Sequence, residues 1–348
     1  MFKLDNPTPW QAALYPDWRA DLKPQTTLVV KLAYRFDPQG RAEPMEPAPP
    51  IETADRHLED NPATSLTAAR ESVAFKQGAE ILCHGTAHPP GEDARVMEAS
   101  LGLSRDGSEF WHKTLRISGP RQWRKGLLAT QLSEPAPLQP LPLRYEHAYG
   151  GRDPRNPERH FEPNPAGIGY SARSRWLDGL AVPQIEIGPD YLQTLSQRPT
   201  PAGFGPLSAS WQPRAALAPA IDPASLATGH CPYGTPLPPD LHNAAPLDQR
   251  FEQHFQGGEV LQLSGLIAGA PPTGTAVEIP RNRPEAWLIQ GKAAPRPIQL
   301  VCDTLVVRAD EQEIHLLWRG AIEAAADASG HILIRPGAIP EPEQEDAA

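Results

Sequence analysis

The sequence predicts a mainly β fold: antiparallel, sandwich-like sheets carrying a long, ordered Pro/Gly-rich coil and few short helices. Three observations predict it. Several segments alternate apolar and polar residues with period two, the pattern of a strand with one buried face. Proline is abundant, 43 of 348 residues, roughly 12% against a usual ~5%. Proline inside a helix removes a donor and clashes with the preceding turn, which excludes a helical bundle. Helical periodicity is scarce.

In chain order, Leu28, Val30, Leu32, Tyr34 and Phe36 fall on one face of a strand, with Lys31 and Arg35 on the other. A second strand is expected over 80–85. Met97, Ala99, Leu101 and Leu103 alternate with Glu98, Ser100 and Gly102. Trp111, Leu115 and Ile117 alternate with His112, Thr114 and Arg116. Arg105-Asp106-Gly107-Ser108 between them reads as a hairpin turn, since Asp-Gly supplies the positive φ angles such turns require. Further strands are expected over 259–268, 285–290, 298–308 and 313–319, the last two joined by a hairpin loop at 309–312. Short helices are expected over 190–197 and 247–255. In the second, Asp248 would cap and Phe251 and Phe255 stand at i, i+4. The alanine-rich stretch 321–328 is too short to assign.

A chain of 348 residues suits two modest domains or one large β domain. It divides into a β-rich region 1–133, a coil region 134–246, a second β-rich region 247–338 and an acidic, frayed tail 339–348. Whether these form one large domain is left open. The coil region has prolines and glycines every few residues. It also carries Tyr145, Tyr149, Phe161, Tyr170, Trp176, Tyr191, Phe204, Trp211 and Tyr233. Disordered segments lack aromatics, so this region is expected to be ordered coil clamped on a β core. RAEPMEPAPP at 41–50 is a separate proline-rich loop.

Thirty-two basic against 42 acidic side chains give a net charge of −10. That argues against nucleic-acid binding, which leaves a basic footprint. No apolar run reaches the ~18–20 residues of a membrane helix, and no secretory signal is visible at the start. Three distant cysteines, Cys83, Cys231 and Cys302, make no disulfide framework and fit a reducing cytoplasm.

Signatures of catalysis are weak. There is no G-x-S-x-G elbow and no phosphate-binding loop. Gly167-Ile-Gly169-Tyr-Ser-Ala172 is spaced like a dinucleotide loop, but Asn164-Pro165 precedes it where a strand is needed, and it reads as a turn. His84 and His88, four apart on a strand, stand ~13 Å from each other, too far for one ion. His230-Cys231 has no second pair at zinc spacing. Glu146 and His147 beside Gly150-Gly151, with Asp153, are the candidates for hydrolase-like acid–base chemistry. Adjacent strand residues point to opposite faces. The structural alternative buries Tyr145 and Tyr149 and pairs Glu146 with an arginine such as Arg152. The run Arg121-Gln-Trp123-Arg124-Lys125 either lies solvated or stacks an arginine on Trp123. No catalytic residue, metal or cofactor is assigned.

A set of unusual strings occurs in a specific order. It begins with Asn6-Pro-Thr-Pro-Trp10, LVVKLAYRFD, Phe75-Lys76-Gln-Gly78-Ala-Glu80 with HGTAHPP, and ISGPRQW. It continues with Leu141-Pro-Leu-Arg-Tyr145-Glu146-His-Ala-Tyr149-Gly150-Gly151, Asn164-Pro-Ala-Gly167-Ile-Gly169-Tyr and Val182-Pro-Gln-Ile-Glu186. It closes with Pro201-Ala-Gly-Phe-Gly-Pro206, Trp211-Gln-Pro-Arg214, Leu237-Pro-Pro-Asp240 and Cys302-Asp303-Thr304-Leu…Leu317-Trp318-Arg319-Gly320. Over about 1–320 the chain resembles the DUF2169 family of bacterial adaptor or chaperone proteins linked to type VI secretion. Two strings depart from the family: Pro120 stands where an acidic residue is usual, and Ala227-Thr-Gly-His-Cys-Pro-Tyr-Gly replaces an Ala-Gly-Thr-Tyr-Asp-like string.

The resemblance implies a cytoplasmic, non-enzymatic protein. It would bind a type VI effector and help load it onto the spike complex, the valine-glycine-repeat protein VgrG or its PAAR tip. The alternatives are a structural component of the secretion apparatus, or a hydrolase using Glu146 and His147. Proline-stiffened loops lower the entropy cost of docking, and Tyr, Trp and Arg dominate interface hot spots. Tyr145, Tyr149, Arg152, Arg155, Tyr170, Phe204, Trp211 and Arg214 are therefore the candidate partner-binding residues. The aromatics among them could instead fill the space beneath the loops.

Overall fold

Strand Pro24–Phe36 is the longest in the molecule and lies second from one edge of a seven-stranded sheet. A computed structural model describes residues 2–172, 177–271, 273–323 and 329–337 of the chain. The sheet order is Arg250–Phe251, Ala79–His84, Val301–Arg308, Glu313–Ile322, Pro24–Phe36 and Gln11–Trp18, with Ala42–Pro44 also paired to Pro24–Phe36. Its pairs are antiparallel except the parallel contact of Ala79–His84 with Val301–Arg308.

A five-stranded sheet orders Ile185–Ile187, Ser108–Ser118, Val96–Arg105, Val260–Ser264 and Thr275–Glu278. A four-stranded sheet orders Phe2–Asp5, Gly330–Pro336, Pro284–Ile289 and Arg296–Ile298. One apolar cluster joins all three. Leu28, Leu32 and Phe36 of the first sheet, Leu101, Leu115 and Leu261 of the second and Leu288 and Ile332 of the third belong to it. A smaller cluster gathers Trp123, Tyr149, Leu177, Val182 and Leu192.

The alternation in sequence places the strands well. The hairpin between Val96–Arg105 and Ser108–Ser118 turns on Asp106 and Gly107, with φ of 51° and 77°, the left-handed pair that two-residue turns need. The 309–312 loop joins Val301–Arg308 to Glu313–Ile322 as expected.

The two expected helices are absent. In 190–197 the Gln197 side chain accepts the backbone N–H groups of Gln193 and Thr194, a local bond that competes with helix formation. In 247–255 only Leu247–Gln249 forms a 3-10 turn, and Arg250–Phe251 joins the sheet edge instead. Among the described residues the one α-helix is Pro223–Ala227, where Asp222 caps the Ala224 and Ser225 N–H groups ahead of a first-turn proline. Asp-Pro at a helix start is a readable signal, and it was missed. Trp176, the tail 339–348 and most of the 321–328 stretch lie outside the described residues.

The second face of the seven-stranded sheet is the unexpected feature. Alternation puts Lys31 opposite the apolar face, yet Lys31 is buried, and its Nζ lies 2.8 Å from Glu71 Oε1. A bulge between Cys302 and Thr304 turns Asp303 toward Arg319. Their N–O distance is 2.6 Å, and both side chains are buried. Lys76 bonds Glu80 and the Thr304 hydroxyl. This face is charged and covered by the segment 46–76.

Breaking a buried pair leaves an unpaired charge inside. Arg319→Met is expected to lower the urea unfolding free energy by about 3–5 kcal/mol, and adding Asp303→Asn is expected to recover part of that loss. A single-variant loss below about 1 kcal/mol, the surface-pair range, would show that the pair does not hold the fold.

Candidate functional site

Where segment 46–76 crosses the charged face, it leaves a groove. One end is a cavity of about 160 Å³ floored by Lys31, Leu82, His84, Thr304, Val306 and His315. Its rim carries Arg56, Arg70 and Glu52 from the covering segment and Arg308 and Glu313 from the sheet. The other end, about 190 Å³, runs on past His84 and Arg308 to Arg144, Tyr145, Gly205 and Asp310. Thr67, His84 and Arg308 line both ends, so the two adjoin.

The first cavity has a basic excess, whereas the second sets Arg144 and Arg308 against Asp310 and Glu311. In the first cavity Lys31, Arg56, Arg70, Lys76 and Arg308 face Glu52, Glu71 and Glu313. Arg56 pairs with Glu52 at 2.5 Å and Arg308 with Glu311 at 2.7 Å, all four partly exposed. Exposed pairs of this kind contribute only about 0–1 kcal/mol, so either arginine can exchange its carboxylate for one on an incoming segment.

The two histidines are held neutral. Burial, then the Arg308 and Arg56 charges, bring the His84 imidazole down to about 4. His315 also lies below its ordinary value, through burial and the Lys31 ammonium, with Glu313 opposing.

The coil region borders the groove and is tied down by buried and half-buried polar side chains. Glu146 accepts the Ser65 backbone N–H at 2.7 Å and its hydroxyl at 2.6 Å. The expected arginine partner is therefore replaced by a serine on the covering segment. Arg152 instead donates to the Pro157 carbonyl. The Tyr145 hydroxyl donates to Gly205 O at 3.1 Å, and Tyr145 meets Trp211 edge-on at 5.9 Å. Asn164 Nδ2 donates to the Tyr145 and Tyr149 carbonyls. Gly150 and Gly151 take φ of 151° and 93°. A Cβ on Gly150 would stand 2.2 Å from Asn164 O, so only glycine fits there. The dinucleotide-like string is neither a phosphate loop nor the turn expected: Ile168–Gly169 is a short strand pairing in parallel with Tyr149–Gly150.

The eight predicted contact residues separate by burial. Tyr145, Tyr149, Phe204 and Trp211 are all at most 2% exposed and belong to the packed interior. They cannot touch a partner without local opening. Arg214 is half-buried and bonds the Leu207 carbonyl. Tyr170 is half-buried between Phe161 and Arg198. Arg152 and Arg155 are exposed. Asp153 accepts the Arg155 and Ala172 N–H groups, which hold its carboxyl below the usual range. In the Arg121–Lys125 run, Arg121 is buried on Glu186 at 2.5 Å and Trp123 is buried, while Arg124 and Lys125 are exposed.

The groove arginines Arg56, Arg70 and Arg308 went unread in the sequence. The available signal was a strand face carrying Glu313, His315 and Arg319 around Leu317. Among the described residues no group of three His, Cys, Asp or Glu could hold a metal ion, and no helix is long and apolar enough to cross a membrane.

A family model described as "Uncharacterized protein conserved in bacteria (DUF2169)" matches residues 21–319. The chain belongs to the DUF2169 family. No curated protein and no solved structure matches it. The DUF2169 match begins before the charged strand face and ends at Arg319, so it takes in the whole groove and the coil region beside it.

Two outcomes follow from the groove. Glu146→Ala is expected to destabilise the protein by about 1–3 kcal/mol in chemical denaturation, because it orphans the Ser65 donors. Glu146→Gln, which keeps an acceptor, is expected to cost less. For the histidines the folded state resists protonation that the unfolded state accepts from pH 6.5 downward. The melting temperature is therefore expected to fall as pH drops from 6.5 to about 4, and His84→Gln with His315→Gln is expected to flatten that slope. An unchanged slope in the double variant would contradict the assignment.

Proposed function

We propose that this DUF2169 protein is a cytoplasmic adaptor that holds a type VI effector and helps load it onto the VgrG/PAAR spike. The observation that carries the reading is the preformed groove with its arginine-rimmed first cavity, bordered by a long coil whose polar pins fix it before any partner arrives. Pre-organisation of this kind lowers the ordering cost of docking. Rim arginines in weak, exchangeable pairs supply charge-assisted contacts to carboxylates of an incoming segment. The same reading is what the resemblance to DUF2169 proteins implies.

The test is co-expression with the products of the neighbouring genes, followed by purification of any complex and titration. Charge reversal at Arg56 and Arg308 is expected to weaken binding at least about tenfold, and reversal at Arg152 and Arg155 reads whether the coil adds contacts. Deletion of the adaptor is expected to stop export of its own effector alone. Arrest of every effector would indicate a structural part of the apparatus instead. No complex, with normal export after deletion, would overturn the proposal.

A further inference from the structure

Among the described residues the groove is lined by five carboxylates, three at its first end and two at its second. They are of two kinds. Glu71, Glu313 and Asp310 fasten distant parts of the chain together. Glu71 pairs with Lys31 at 2.8 Å and Glu313 with Arg35 at 2.7 Å. Asp310 accepts the Thr86 N–H at 2.9 Å and its hydroxyl at 3.0 Å. Glu52 and Glu311 fasten nothing distant. Each holds a rim arginine of its own stretch of chain. Glu52 takes Arg56, four residues on, and Glu311 takes Arg308, three residues back. Among the described residues neither carboxylate has another partner.

Backbone bonds set both glutamates in place. The Glu52 N–H donates to Glu71 Oε2 at 2.8 Å, and its carbonyl accepts the Glu71 and Ser72 N–H groups. Glu311 sits in the 309–312 turn, closed by the Gln312 N–H on the Ala309 carbonyl. Each carboxylate therefore stands beside its arginine at a high effective concentration. Exposed pairs this close in sequence add little to stability, and neither ties one element to another. What both do is neutralise an arginine that faces the groove. Arg70 differs. It is exposed, its Nε donates to the Ser72 hydroxyl at 2.9 Å, and it has no carboxylate among the described residues.

We propose that Glu52 and Glu311 are built-in competitors that mask Arg56 and Arg308 until an acidic segment of the partner displaces them. This regulation rests on the groove being the docking site. Arg70, already without a carboxylate, makes the first contact. Arg56 and Arg308 follow by exchange, each giving its charge-assisted bonds to a carboxylate of the segment. One ion pair breaks for each that forms, so an exchange gains little, and the segment leaves as readily as it entered. The masking is autoinhibitory: it holds affinity below what three free arginines would give, and it re-forms when the segment departs. A carrier that must release its cargo needs that balance. Removing an acidic residue from this rim therefore tightens binding, whereas Glu71, Glu313 and Asp310 are structural.

The experiment is fluorescence anisotropy of a labelled, end-blocked hexaglutamate peptide titrated with the full chain at physiological ionic strength. Glu52→Gln and Glu311→Gln are each expected to tighten binding about two- to fivefold, and together by about the product. Arg56→Gln and Arg308→Gln weaken it. Glu158→Gln removes an exposed carboxylate outside the groove and leaves binding unchanged, because salt screens distant charges. The glutamate variants keep the wild-type melting temperature. Tightening by Glu158→Gln as large as by the groove variants would reduce the effect to net charge and overturn the proposal. So would groove glutamate variants that bind no tighter than wild type while the arginine variants weaken binding, and the groove reading would then stand alone. Arginine variants that bind like the wild type, or no binding by any form, overturn the groove reading and the masking with it.

Discussion

The Lys31 ammonium lies inside the protein, 2.8 Å from Glu71 and 3.1 Å from the Pro50 carbonyl. It sits on a strand whose other face packs against the main apolar core. A charge in that position must be covered and neutralised, or the strand cannot stay where it is. Segment 46–76 does both. Glu71 supplies the carboxylate, and the Glu71 and Val73 carbonyls take Arg319 Nη1 at 3.1 and 2.6 Å. The Ala74 carbonyl accepts from Gln25 and Thr27. The sheet therefore dictates the path of a coil that has almost no hydrogen-bonded secondary structure of its own.

The same device recurs across the molecule. A buried backbone needs partners for its N–H and C=O groups, and where strands do not supply them, buried side chains do. Glu80 accepts the Ala244 and Ala245 N–H groups and the Asn243 amide. Gln249 donates to the Ile81 and Phe204 carbonyls and accepts from Lys113. Asn164 and Ser65 do the same for the segment around Tyr145. Coil held this way is rigid enough to serve as a surface, and it walls the groove beside His84 and Arg308. Its floor is sheet, its wall is pinned coil, and its exposed arginines are lightly engaged.

Much of the sheet was legible because period-two alternation survives in strands with one apolar face, as in Met97–Leu103 and the Asp106-Gly107 turn. The doubly buried strands read only in part. Alternation assigned Lys31 to the second face correctly, but it carries no information about what lies beyond that face, and the cover comes from residues some forty positions away. The 247–255 segment misled because Phe251 and Phe255 do approach each other, at 5.8 Å, without helix between them. At the candidate site, aromatic and arginine density located an ordered region. It could not separate Tyr145, Phe204 and Trp211, which fill the interior, from Arg152 and Arg155, which reach solvent. The groove arginines escaped because they converge from two distant stretches of chain, the covering segment and the strand Val301–Arg308.

Amide hydrogen exchange tests most directly whether buried polar side chains fix the coil. The Tyr145, Ala244 and Ala245 N–H groups, bonded to Ser65, Glu80 and Glu80, should exchange about as slowly as the amides of the Glu313–Ile322 strand and only through large-scale opening. Exchange of those three at the rate of an unstructured peptide, while the strand stays protected, would contradict the account.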